Sequence, residues 1–226
     1  MADASRTSAR SVATRDRRRA ILAAALRCFG ERGYSRAQIQ EVRRLSGAST
    51  GSIYHHFGDK EGLAAALYAD GLERYQEAVL SCLEGAETAE AAVRGVVVEH
   101  FAWVRRNPDL ARFLGSRREA SVVIAGEAAV RKLNRQFACQ AHAWLSDARD
   151  AGAVRDAPLP VLMAVVMGPC QELTRLADSR AEMVSRAEVS ALAEIVWQGV
   201  RARPDRTSNG LLALAAAKRD STREER

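Results

Sequence analysis

The stretch "STGSIYHHFGDKEGL" (Ser49–Leu63) places two adjacent histidines and a tyrosine on a short helix that another helix follows almost at once. Ser49 is a helix-capping residue, Ile53 and Phe57 lie four apart on one side, and Gly58 and Asp59 stop one helix and cap the next. His55 and His56 are sequence neighbours about 100° apart on such a helix and cannot readily share a metal, which favours i, i+4 spacing. A polar surface that reads something is the remaining use of this face.

Working outward, the preceding segment "SRAQIQEVRRLSGAS" (residues 35–49) predicts a second short helix. A Ser35/Gln38 capping box opens it, Ile39 and Val42 form its buried edge, and "LSG" breaks it. Before it, a helix starting at Thr14 carries Ile21, Leu22, Ala25 and Phe29 at helical spacing and ends at Gly33. Residues 1–13 are Ser-, Arg- and Ala-rich without periodicity and read as a flexible basic arm.

Charge follows the same division. Residues 1–60 hold 12 Lys/Arg against 5 Asp/Glu, a balance of +7, and residues 61–226 hold 22 against 23, a balance of −1. All the excess positive charge of this +6 chain therefore lies in its first quarter, which composition alone reads equally as a polyanion-binding head on a neutral body or as a solvated basic tail. Two short helices joined by a tight Gly-containing turn, inside a basic three-helix head, make a helix-turn-helix. Its second helix enters the major groove of double-stranded DNA with Thr50, Gly51, Ser52, Tyr54 and His55 outward. The hydroxyls and imidazole suit base edges, Gly51 lets the backbone approach closely, and Tyr54 and Lys60 suit phosphates. Gln38, Gln40 and Arg44 on the first helix complete the DNA-facing set.

Beyond residue 60 the pattern stays helical. A fourth helix runs from an Asp59 cap to about Leu83, and Thr88 and Pro108 bracket a fifth. "DLARFLG" (Asp109–Gly115) is a short one and Glu127–Ala151 a long one. Pro160 opens a helix reaching Ala177, and a Ser185/Glu188 capping box opens the last, to about Arg203. Residues 204–226 form a polar tail in which "GLLALAAA" is a loose helix. There is no strand alternation and no Gly-rich phosphate loop. The four cysteines, Cys28, Cys82, Cys139 and Cys170, are dispersed and read as reduced core residues. The N-terminus has no apolar signal region, and the longest apolar run, Val161–Cys170, is too short to span a bilayer. A cytoplasmic chain with no membrane partner is expected. No catalytic set, metal site or cofactor is expected either, which argues against the rival reading of a helical enzyme with a basic patch, although a catalytic set could be dispersed.

"AILAAALRCFGERGYSRAQIQEVRRLSGASTGSIYHHFGDKEGLAAAL" (residues 20–67) resembles the DNA-binding head of the tetracycline-repressor (TetR) family of transcriptional regulators. The signature is an Ala-Ala…Phe…Gly-Tyr run followed by Gly47, Ser49, Gly51, Ile53, Tyr54, Phe57, Lys60, Glu61 and Leu63. Ala37 stands where the family commonly has a hydroxyl residue, and Arg43 where it usually has alanine. The resemblance implies an all-α chain with a helix-turn-helix head (residues 14–60) and an effector-binding and dimerisation body (61–203). It implies a homodimeric repressor released from a pseudo-palindromic operator by a small-molecule effector, with an activator or effector-independent regulator as alternatives. Dimers are expected through the last two helices, at Leu162, Val165, Val166, Leu173, Leu192, Ile195, Val196 and Val200. An effector pocket is expected at His100, Trp103, Phe113, Phe137, Met167 and Gln171, and the arginines Arg105, Arg106, Arg117 and Arg118 suit an acidic effector.

Overall fold

The computed structural model describes residues 2–115 and 128–202. Nine helices lie among the described residues: α1 (Ala2–Arg32), α2 (Ile39–Ser46), α3 (Thr50–Phe57), α4 (Lys60–Glu84), α5 (Ala89–Arg106), α6 (Pro108–Gly115), α7 (Ala128–Asp150), α8 (Leu159–Ser179) and α9 (Arg186–Val200). The all-α expectation holds among the described residues, where the single β contact is an isolated bridge between Val154 and Arg201.

Local chemistry sets most of the boundaries. Ser49, Asp59 and Thr88 each accept the backbone N–H three residues on, at 3.1, 2.7 and 3.1 Å, satisfying donors that a helix start leaves orphaned. The Ser185/Glu188 capping box forms in both directions. Pro160 sits in the first turn of α8, where its missing N–H costs nothing.

Three boundaries differ from the sequence reading. α1 does not begin at Thr14 but runs unbroken from Ala2, because residues 2–32 before the last turn contain no proline and no early glycine to stop it. The Ser35/Gln38 box does not form: Gln38 is the N-cap of α2 and makes no side-chain cap bond. The cause is Ala37, whose buried side chain and N–H···O contact to Gly33 (3.2 Å) hold this segment as a turn on the end of α1. α9 stops at Val200, short of Arg203. The "GLLALAAA" stretch, Arg117, Arg118 and Glu127 lie outside the described residues.

Apolar burial forms two clusters. The first joins Ile21, Leu22, Ala25, Cys28 and Phe29 of α1 to Val42, Ile53, Phe57 and the start of α4 at Leu63, Ala64 and Leu67. The second joins Val79 of α4 to the valines of α5, to Leu145 of α7, and to α8 and α9. α4 therefore passes through both. α6 provides a second bridge: Phe113 stacks on Phe29 of α1 with ring centroids 5.8 Å apart. Leu110 fits so closely over Gly71 of α4 that a Cβ there would lie 2.7 Å from it. Trp103 and Phe113, expected in a body pocket, instead belong to the head-side cluster.

The α3–α4 corner is tighter still, since a Cβ at Gly62 would lie 2.0 Å from the Phe57 carbonyl oxygen. That neighbour is backbone and cannot swing aside. Gly62→Ala is expected to destabilise the protein by about 1–3 kcal/mol, the usual cost of overpacking. A urea midpoint unchanged from the parent would contradict this reading of the corner.

Candidate nucleic-acid interface

The turn between α2 and α3 is built from Gly47, Ala48 and Ser49. Gly47 takes the left-handed conformation (φ 66°) and its N–H bonds the Arg43 carbonyl at 3.0 Å, a geometry that glycine adopts without strain. The Ala48 N–H donates to Ser46 Oγ at 3.2 Å, and Ala48 is itself buried. Val42 (0 % exposed) and Ile53 (1 %) then fix α2 and α3 in the apolar cluster they share with α1 and the start of α4. Because those faces are fixed inward, the opposite faces are fixed outward.

On the outward side the structure places Gln38, Gln40, Arg43, Arg44, Thr50, Gly51, Tyr54 and His55, all exposed. Ser52 is half-buried and its backbone N–H is taken by the Ser49 cap. His56 is half-buried at the end of α3, its ring tilted against Phe57 and edge-on to His55. Gly51 is the informative position. A Cβ built there meets nothing within 4 Å, so no contact inside this chain asks for glycine, and glycine inside a helix costs about 1 kcal/mol relative to alanine.

Lys60 is held within the chain. Its ammonium donates to the Ser35 carbonyl at 3.2 Å and sits 4.6 Å from the centroid of the Tyr34 ring, tying the start of α4 to the α1–α2 loop. Glu41 is neutralised by Arg32 at 2.7 Å. The exposed face of α2 and α3 is thus arginine, imidazole, hydroxyl and amide, able to meet phosphates and the hydrogen-bonding edges of bases.

The residues expected to line an effector pocket are not brought together. His100 is buried (6 % exposed) and fully bonded: Tyr75 Oη lies 2.7 Å from Nδ1, and Nε2 lies 2.9 Å from Thr174 Oγ1. The Thr174 hydroxyl donates to the Cys170 carbonyl at 3.0 Å. That leaves Thr174 Oγ1 as the acceptor from Nε2–H and Nδ1 as the acceptor from Tyr75. Phe137 and Met167 pack at the edge of the second cluster, and Gln171 points to solvent from α8. Two surface clefts, of about 410 and 350 Å³, lie elsewhere, at Arg149, Arg155 and Ala202 and at Arg27, Gly30 and Asp109.

The dimer expectation is also redistributed. Leu162, Val166, Val196 and Val200 are buried in the chain's own second cluster, and Leu173, Leu192 and Val165 sit half-buried at its edge. Ile195 is exposed (66 %). Val161, which sequence reasoning missed, is exposed on α8 (51 %), with Ala164 and Gly168 on the same side. Helical spacing showed apolar residues on two faces of α8 without showing which face the chain itself would cover.

Residues 21–67 match the family model of bacterial regulatory proteins, tetR family. The HTH-type transcriptional repressor AcnR of Corynebacterium efficiens is 45% identical over 73 residues, 30% of this chain and 39% of that protein. An HTH-type transcriptional repressor of Mycobacterium tuberculosis is 34% identical over 100 residues, 43% of this chain and 51% of that one. The chain thus spans about half the length, or less, of the curated relatives it matches. Among solved structures, a putative tetR family transcription regulator from a Shewanella species superposes with a TM-score of 0.68 at 19% identity, covering 83% of this chain and 99% of that one.

Burial lowers the His100 pKa to about 4, opposed weakly by the Cys170 carbonyl. Below pH 6.5 the unfolded chain's imidazole takes a proton that the folded one refuses until about pH 4. Stability is therefore full above pH 6.5 and falls as the pH drops, by about 3 kcal/mol across the window from this group alone. Against the parent, His100→Asn should show a flatter fall in unfolding free energy between pH 6.5 and 4. Parallel curves would contradict the buried neutral imidazole.

Proposed function

We propose that this chain, whose residues 21–67 match the model of bacterial regulatory proteins, tetR family, is a member of that family and a cytoplasmic, homodimeric transcriptional repressor rather than an enzyme. α3 lies in the major groove of an operator half-site, and α2 braces it across the backbone. The observation that carries this reading is the outward face of α3, where Thr50, Gly51, Tyr54 and His55 are exposed beside Arg43 and Arg44 and a glycine stands where nothing in the chain requires one. The repressor sense is supported by the two head relatives, both named repressors.

Dimerisation uses the outer side of α8 and α9. Val161 and Ile195 expose apolar surface there, and Ala164 and Gly168 leave room for a second copy's helices to approach. A two-fold pair of heads matches a site with two inverted halves. Release by an effector follows if a small molecule in the body favours a different head spacing, with α4 and α6 carrying the change. Such a ligand entering between α4, α5 and α8 would have to open the Tyr75–His100–Thr174 chain of hydrogen bonds.

Gly51→Ala separates recognition from folding. It should raise stability by about 0.5–1 kcal/mol while weakening binding to a duplex selected by the parent protein at least tenfold. Thr50→Ala and His55→Ala should weaken the selected duplex more than random duplex. Equal affinity of the parent for selected and random duplex at physiological salt would sink the reading. For the dimer, Ile195→Glu should convert a light-scattering dimer at micromolar concentration to a monomer with poor affinity. A monomeric parent would rule that interface out.

A further inference from the structure

Lys60 opens α4, yet its side chain turns back onto another part of the head. Its Nζ donates to the Ser35 carbonyl at 3.2 Å, across 25 residues of sequence, and lies 4.6 Å from the centroid of the Tyr34 ring. Both partners belong to the loop between α1 and α2 (residues 33–38). An ammonium this close to an aromatic face is held by the ring's quadrupole, and a charge-assisted bond to a carbonyl is stronger than a neutral one. Tyr34 is itself backed: its ring stands edge-on to Phe29 with centroids 5.5 Å apart, and Phe29 stacks on Phe113 of α6. The lysine closes on a ring that is held in place.

The loop needs such a hold. Gln38, the N-cap of α2, makes no side-chain cap bond, and a helix of eight residues does not persist by itself. Three contacts fix where α2 begins. Ala37 is buried and its N–H donates to the Gly33 carbonyl at 3.2 Å, Arg32 pairs with Glu41 at 2.7 Å, and Lys60 clasps Ser35 and Tyr34. The first two tie α2 to the end of α1. Of the three, the clasp is the one that ties it to the start of α4, directly after α3.

We propose that Lys60 is a positioning residue for DNA recognition rather than a phosphate contact. Through Ser35 and Tyr34 it sets the start of α2, where Gln38 and Gln40 stand exposed, relative to α4 and so to α3. This rests on the reading of α2 and α3 as the DNA-facing helices. The two roles differ in what their loss removes. A phosphate contact displaces a counterion from the duplex, and a contact inside the head does not.

Lys60→Gln and Tyr34→Leu, singly and together in the full chain, separate the two roles. Leucine keeps an apolar side chain against Phe29 and removes the ring face. In the free proteins, hydrogen exchange at the Ala37 amide should quicken in both variants, a result that needs no DNA. On a duplex selected by the parent, each single variant should bind about three- to tenfold more weakly. The double variant should bind no more weakly than the worse single one, and affinity for random duplex should stay at the parent's value. The slope of log affinity against log salt should also stay the parent's, whereas a lost phosphate contact makes it shallower by about 0.9. If Tyr34→Leu is too unstable to bind, Lys60→Gln alone carries the comparison. A shallower slope with equal losses on both duplexes, or parent-like exchange and affinity in Lys60→Gln, would overturn the proposal. If the parent itself does not distinguish the duplexes, the reading of α3 fails. Exchange at Ala37 and the salt slope on random duplex then still decide the role of Lys60.

Discussion

The outward faces of α2 and α3 depend on the burial of Val42 and Ile53, which are 0 % and 1 % exposed in the cluster they share with α1 and α4. Fully burying such a side chain contributes about 1.5–3 kcal/mol, and neither helix has enough length to hold itself. At eight residues each, α2 and α3 are well below the length at which an isolated helix persists in water. Tertiary packing therefore creates them and orients them in one act. The left-handed Gly47 and the Ser49 cap set the angle between them, and Lys60, clasped by Ser35 and Tyr34, locks the far end. Among the described residues, Thr50, Gly51, Tyr54 and His55 on the outward face of α3 are exposed and none belongs to the apolar cluster, so that face can vary without cost to the fold.

The head is fastened to the body at two places. α4 runs from one apolar cluster into the other, and α6 presses Phe113 onto Phe29 and Leu110 onto Gly71. Between them lies a polar relay, Tyr75–His100–Thr174, in which every donor has an acceptor. Its members are taken from α4, α5 and α8, so a change in the packing of any one is felt by the other two. In a low-dielectric interior such a chain is favourable only while complete, because an unpaired buried group is costly.

Much of this was legible in the sequence because capping and periodicity are local. Thr88, Ser49, Asp59 and Ser185 announced the helix starts, and Ile53 and Phe57 announced the inner face of α3. Most of the exposed set on α2 and α3 followed from the same periodicity, with Ser52, expected outward, half-buried instead. What failed were readings that require knowing which elements meet. Trp103 and Phe113 looked like body residues because of their place in the chain, and only the α6–α1 contact puts them with the head. On α8, Leu162 and Val161 are equally apolar neighbours, and which of them the chain covers is decided by α5 and α9. The helical start of α1 was hidden by an absence of apolar periodicity, since arginine, alanine and serine can continue a helix that the core begins elsewhere.

The central claim, that α3 reads bases from the major groove, is tested most directly by dimethyl sulfate protection of a parent-selected duplex. Guanine N7 faces the major groove, and adenine N3 the minor groove. The account predicts N7 protection in two clusters whose centres lie about one helical turn, or 10 bp, apart or a multiple of it, lost in Gly51→Ala at equal occupancy. Protection confined to adenine N3, or a bound duplex with every guanine N7 as reactive as in free DNA, would contradict it.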